Sequence, residues 1–105
     1  MSISNEQRKQ FKAIAHHLKP VVIIAGNGIT EGVTSELERA LTDHELIKVK
    51  IAVGEREDRA TIVDEITRLT GSELVQMIGR TAVLLRHNKK PNPKLSNLIK
   101  AQSAR

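Results

Sequence analysis

Residues 21–24 are four consecutive β-branched side chains, Val-Val-Ile-Ile, and the turn Ala25-Gly26-Asn27-Gly28 follows at once. β-Branching stiffens χ1 and favours a pleated strand over a helix. An unbroken apolar run has no wet side, so it predicts a buried, central strand. The glycines end that strand. Thr30 then offers a side-chain oxygen to the first free amides of a helix. Strand, glycine turn and helix start bring main-chain N–H groups and the positive end of a helix dipole to one place. Such a place can hold phosphate, and the order of its parts commits the chain to an α/β fold.

The flanking segments extend this pattern. Ser4-Asn5-Glu6-Gln7 fits a capping box. Beyond it Phe11, Ile14, Ala15 and Leu18 fall on one helical face, with Arg8, Lys12, His16 and Lys19 beside it. This helix must end before Pro20. After the glycine turn, Val33, Leu37, Ala40 and Leu41 make the apolar face of a second helix. Residues 46–53 alternate, with Ile47, Val49, Ile51 and Val53 on one side and Lys48, Lys50 and Ala52 on the other. Ile62, Val63, Ile66 and Leu69 predict a third helix, with Asp58 as its cap and Gly71 as its left-handed stop. Residues 74–78 and 81–86 predict two strands joined by the two-residue turn Gly79-Arg80.

The expected architecture is a compact single α/β domain with element order α-β-α-β-α-β-β. Its four-stranded sheet is mixed, since helix-linked strands run parallel and the last hairpin antiparallel. With helices mainly on one face, Lys48 and Lys50 would lie on a partly open face. The folded domain is expected over residues 1–87. A basic, flexible tail is expected over 88–105, with Leu95, Leu98 and Ile99 available for a short docking helix.

A chain of 105 residues is long enough for one modest core. It has no room for a nucleotide domain and a substrate domain together. Without cysteine it has no disulfide framework or thiolate metal site, which suits a reducing, cytoplasmic setting. No apolar run approaches the ~20 residues of a membrane span, and the first residues lack a signal-peptide pattern.

The formal net charge of +5 is unevenly placed: +3 over residues 1–30, −4 over 31–71 and +6 over 72–105. A polarised field of this kind favours an anionic partner on one side, though a basic tail also serves solubility. Phe11 is the sole aromatic residue. Base recognition on aromatic platforms is thereby excluded, so any nucleic acid would be held mainly through phosphates, sugars and shape.

Gly26, Gly28 and Gly32 come near a dinucleotide fingerprint, but the next strand ends in Ala52-Val53-Gly54 rather than an acid, and the chain lacks a second mononucleotide half. A phosphate clamp needs less: glycines that let a backbone approach, and neighbouring cations. The competing reading is a tight turn that needs glycine only for its backbone angles. His16 and His17 point about 100° apart on a helix, which suits surface positions rather than one metal. No nucleophile–base constellation stands out, and the helix carboxylates read as solvated faces. No enzyme, cofactor or metal is expected. Arg80 tips the hairpin, and Arg86, Lys89, Lys90 and Lys94 are suited to non-specific phosphate contacts or to solubility.

Three stretches, HHLKPVVIIAGNGITEGV, HELIKVKIAV and MIGRTAVLLRH, closely resemble the bacterial YhbY proteins in order and spacing. These are single-domain members of the CRM group, named for chloroplast RNA splicing and ribosome maturation. The resemblance spans Phe11 to His87. It implies a fold similar to the C-terminal domain of translation initiation factor three, and RNA binding without catalysis. It further implies association with large-subunit ribosomal precursors in the cytoplasm. The family's Gly-x-x-Gly loop maps to Ala25-Gly26-Asn27-Gly28, where the first glycine is replaced by Ala25 and Gly26 follows it. Leu85 stands where relatives often carry an aromatic residue.

The expected RNA contacts are Gly26, Asn27, Gly28, Ile29 and Thr30 at the turn, with Arg8, Lys12, Lys19, Lys48, Lys50 and Arg80 as cations. A protein-interaction adaptor docking on a ribosomal protein is the rival expectation.

Overall fold

The computed structural model describes residues 3–103. The elements are α1 (Asn5–Ala15), β1 (Pro20–Ile24), α2 (Glu31–His44), β2 (Leu46–Ile51), α3 (Arg56–Thr70), β3 (Glu73–Ile78), β4 (Thr81–Leu85) and α4 (Asn97–Ser103). The first seven follow the expected order. The capping box forms as read: Gln7 N donates to Ser4 Oγ at 3.1 Å, and Ser4 N to Gln7 Oε1 at 3.0 Å. Gly71 ends α3 at φ +67°, and Gly79 opens the β3–β4 turn at φ +56°.

The sheet order is β1-β2-β4-β3. β1 and β2 are parallel, and β4 lies antiparallel to both β2 and β3. β2 and β3, joined by α3, therefore point the same way with β4 between them. This order corrects the expectation for β1, which is an edge strand rather than a central one. Its burial alternates: Val22 and Ile24 are in the core, while Val21 and Ile23 are exposed. The sequence run records apolar composition on both faces, but the sheet covers only one of them.

Helices cover both faces of the sheet, another departure from expectation. α2 and α3 bury Leu37, Leu41, Val63 and Ile66 against Val22, Ile24, Ile47, Val49, Ile51, Ala82 and Leu84. On the other face Phe11 and Ala15 of α1 pack on Leu46, Val75, Val83 and Leu85, with Leu98 of α4 alongside. Each fully buried Leu or Ile contributes about 2 kcal/mol from removal of apolar surface from water. α1 shields the half of this face near Leu46 and Leu85. Lys48 is half-buried at its margin and Lys50 exposed beyond it.

Two details of α3 also differ from the sequence reading. Glu55 is the N-cap residue, and Asp58 sits one turn in, its Oδ2 accepting from Glu55 N at 2.9 Å. Leu69 points outward, and Thr70 takes the buried position beside Val63 and Ile66.

The docking helix expected around Leu95, Leu98 and Ile99 is α4, and the segment leading to it is hydrogen-bonded to the α2–β2 junction. Its anchor is Glu45, 3% exposed at the α2–β2 junction. Glu45 Oε2 accepts from Asn88 N at 2.8 Å, and Oε1 from Ser96 Oγ at 2.6 Å. Asn88 Nδ2 donates to the carbonyls of Leu41 and Thr42, and Asn97 Nδ2 to that of Leu46. Glu45 adopts φ +62°, a left-handed value that strains a residue bearing a Cβ.

Candidate nucleic-acid interface

The glycine turn follows the end of β1. Gly28 N donates to Ala25 O at 2.9 Å, closing a four-residue turn. Gly28 holds φ +68°, so the backbone requires glycine or a tolerant substitute there. Gly26 is different. Its φ lies outside the left-handed region, and a Cβ built on it would meet nothing within 4 Å. Backbone angles thus explain Gly28 but not Gly26, whose missing side chain leaves the main chain open to a ligand.

Thr30 caps α2 as read, its Oγ1 accepting from Val33 N at 3.1 Å. The amides of Gly26, Asn27, Ile29 and Thr30 donate to no atom among the described residues. They lie at the N-terminus of a 14-residue helix, whose dipole favours an anion.

The sheet register decides which cations share this end. Ala52 N donates to Ile24 O at 2.8 Å, and Ile51 N to Arg80 O at 2.7 Å. The β1–α2 turn, the end of β2 and the β3–β4 hairpin therefore lie at one end of the sheet. Lys50, opposite Ile23 on one side and Thr81 on the other, is there with Arg80, and both are exposed. Gly26–Thr30, Lys50 and Arg80 thus share one end of the sheet.

A second group begins two residues back along β2. Lys48 shares a cleft of about 340 Å³ with Lys12, Ala13, Ala15 and His16 of α1 and with Gln76 and Ile78 of β3. Its charged lining is entirely cationic. Lys19 is exposed just before Pro20, which pairs with Lys48.

Arg8 belongs to neither group. Its Nη1 donates to the carbonyls of Leu74 and Val75, where β3 departs from regular register. It serves the irregular strand, at the end of the sheet away from the turn. Arg86 is likewise internal: Nη1 bonds Glu38 Oε2 at 2.8 Å and Thr70 O at 2.9 Å, and Nη2 bonds Thr42 Oγ1 at 3.0 Å.

The acidic middle of the chain separates in space. Most of its carboxylates, among them Glu31, Glu36, Glu57, Asp64 and Glu65, are exposed on or beside α2 and α3. Lys48 and Lys50 project from the opposite sheet face, Lys48 toward Lys12 and His16 of α1 and Lys50 beyond them. The glycine turn lies where the basic face meets the acidic helix layer.

In the sequence Gln76, Ile78 and Ile23 read only as strand residues, not as expected contacts. Gln76 is half-buried, and its side chain has no hydrogen-bond partner among the described residues. Ile78 and Ile23 are 54% and 58% exposed. A β-branched residue reads as core, so only strand pairing could reveal them. Among the described residues no group of three or more His, Asp or Glu side chains is placed to hold a metal. Among the described residues no helix is long and apolar enough to cross a membrane.

The description of the CRS1/YhbY (CRM) domain matches residues 3–86. A protein of Pseudomonas aeruginosa named a probable RNA-binding protein is 59% identical over 98 residues, covering 93% of this chain and 94% of that one. An RNA-binding protein of Haemophilus influenzae is 49% identical over 85 residues, covering 81% and 86%. The solution structure of a hypothetical Staphylococcus aureus protein superposes with a TM-score of 0.74 at 29% identity, covering 85% of this chain and 93% of that one.

Proposed function

The chain belongs to the CRS1/YhbY (CRM) domain family, and from that premise we propose that it is an RNA-binding protein acting in assembly of the large ribosomal subunit, on precursor RNA. It holds that RNA chiefly by its phosphate backbone. The observation carrying this reading is the glycine turn: four amides without partners among the described residues, leading into a helix N-terminus, at the same end of the sheet as Lys50 and Arg80. The turn faces one phosphate. Lys12, Lys19, Lys48 and Lys50 neutralise its neighbours along the basic sheet face.

Gly26→Asp tests the turn. It places a carboxylate where the phosphate approaches, at a position with ordinary φ and open space. Affinity for a large-subunit RNA fragment in a gel-shift titration should fall about 10- to 100-fold, as expected for a like charge at an interface, with the melting temperature unchanged. Wild-type affinity would remove the turn from the site. Gly28→Asp is a poorer test, because φ +68° makes an aspartate there strain the fold as well.

Salt gives a second test. Release of counterions from about four phosphates predicts a slope of about −3 in log K against log salt for single-stranded RNA. Affinity insensitive to salt would contradict backbone recognition. Sedimentation of the protein with large-subunit precursors, but not with mature ribosomes, tests the assembly role.

The acidic outer faces of α2 and α3 favour a second reading, an adaptor that binds a basic ribosomal protein. Nuclease treatment before a pull-down separates the two: recovery that survives it supports the adaptor.

A further inference from the structure

The register places Ile23 opposite Lys50, Lys50 opposite Thr81, and Thr81 opposite Ile78. Residues directly paired across strands project from the same face. Ile23, Lys50, Thr81 and Ile78 therefore form one row across all four strands, on the half of the sheet that α1 leaves open. With strands about 4.8 Å apart, the row is about 14 Å long. Its two ends are isoleucines more than half exposed. Gln76 lies beside it with an amide that bonds nothing among the described residues.

Two isoleucines set in lysines are an unusual use of a sheet face. A second copy of this chain would make a poor cover, because a two-fold contact gathers the Lys48 and Lys50 charges of both copies into one interface. An apolar protein surface would have to desolvate the same lysines. A polyanion that also has flat apolar faces satisfies both features of the row, and single-stranded nucleic acid is such a ligand. In a duplex the base faces are stacked on each other and unavailable.

We infer that this row is a base-contacting platform for single-stranded RNA, in which Ile23 and Ile78 take the place that aromatic rings occupy in other single-strand binders. The inference rests on the RNA-binding reading above and adds to it. The turn and lysines hold the strand by its phosphates, while the isoleucines pack against unstacked bases. The side-chain amide of Gln76 is available to a base edge.

The test uses the full chain, a fluorescently labelled 12-nucleotide single-stranded RNA, and a hairpin duplex of matched composition. The wild-type protein should bind the single strand more tightly. Ile23→Thr/Ile78→Thr keeps β-branching at both exposed sites and should weaken single-strand binding about 10-fold, roughly the value of one lost base contact. Its salt slope should remain that of the wild type. Ile23→Phe/Ile78→Phe should tighten single-strand binding, a gain that damage to the fold would not produce.

Equal affinity of all three proteins for the single strand, or preference for the duplex, would overturn the platform. If Gly26→Asp still loses RNA while the isoleucine variants do not, the phosphate clamp stands and the platform alone fails. If the wild type binds neither RNA, both readings fail. Loss of a co-purifying protein from the Thr variant, with RNA binding intact, would overturn the platform in favour of a protein surface.

Discussion

Glu45→Ala should lower unfolding stability by about 3 kcal/mol, from the loss of two buried hydrogen bonds to a charged acceptor. The carboxylate accepts from Asn88 N and from Ser96 Oγ, and Ser96 is fully buried. Alanine leaves the buried Ser96 hydroxyl and the part-buried Asn88 amide without this acceptor. For a domain of this size the melting temperature should drop by about 15 °C. Amide exchange should speed up first over residues 88–103.

Glu45→Gly separates the two properties of this position. It loses the same hydrogen bonds but relieves the strain of φ +62°, so it should be about 1 kcal/mol more stable than the alanine variant. Denaturant titrations of both variants check the order. A loss below about 0.5 kcal/mol for alanine, the range of ordinary surface changes, would show that the carboxylate anchors nothing.

The second large effect belongs to Gly54, just past the end of β2. It holds φ +76°, and a Cβ built there would lie 2.6 Å from Asp58 Cβ. Asp58 is not free to give way, because its Oδ2 accepts from Glu55 N at the start of α3. Gly54→Ala should therefore cost about 3 kcal/mol, summing left-handed strain, overpacking and a weakened helix start. Gly28→Ala is the control. Its φ is nearly the same, +68°, but nothing lies within 4 Å, so only the conformational cost of about 1 kcal/mol applies. Equal melting temperatures for the two variants would refute the clash.

Much of this fold was legible because its signals are local. Ser4 and Gln7 are three residues apart, as are Thr30 and Val33, and each pair closes a cap as its chemistry dictates. Gly71 and Gly79 take the backbone region that only glycine enters freely. The alternation of residues 46–51 gives the correct two faces.

What failed depends on neighbours distant in the chain. Val21 and Ile23 are apolar whether their strand is central or at an edge, and only the placement of β4 beside β2 decides it. Arg8 reads as one more cation on a basic helix, and its bonds to two carbonyls of β3 could not be foreseen from the sequence. Glu45 has the appearance of a surface acid, and its partners lie 43 and 51 residues further on. The candidate interface was legible as a turn. The row across the sheet was not, because its members come from four strands and only register aligns them.

β4 is the last strand in the chain, yet it occupies an interior position between β2 and β3. During synthesis β1 and β2 can pair as soon as α2 has formed between them. β3 then emerges with no adjacent strand to bond. Both ladders that involve β4 must wait for residues 81–85, and the sheet closes when β4, paired locally with β3 as a hairpin, docks against β2. Non-local pairing of this kind makes folding slow relative to helical domains. A chain lacking residues 81–85 would leave the inner edge of β2 unpaired, a feature that recruits chaperones or leads to aggregation.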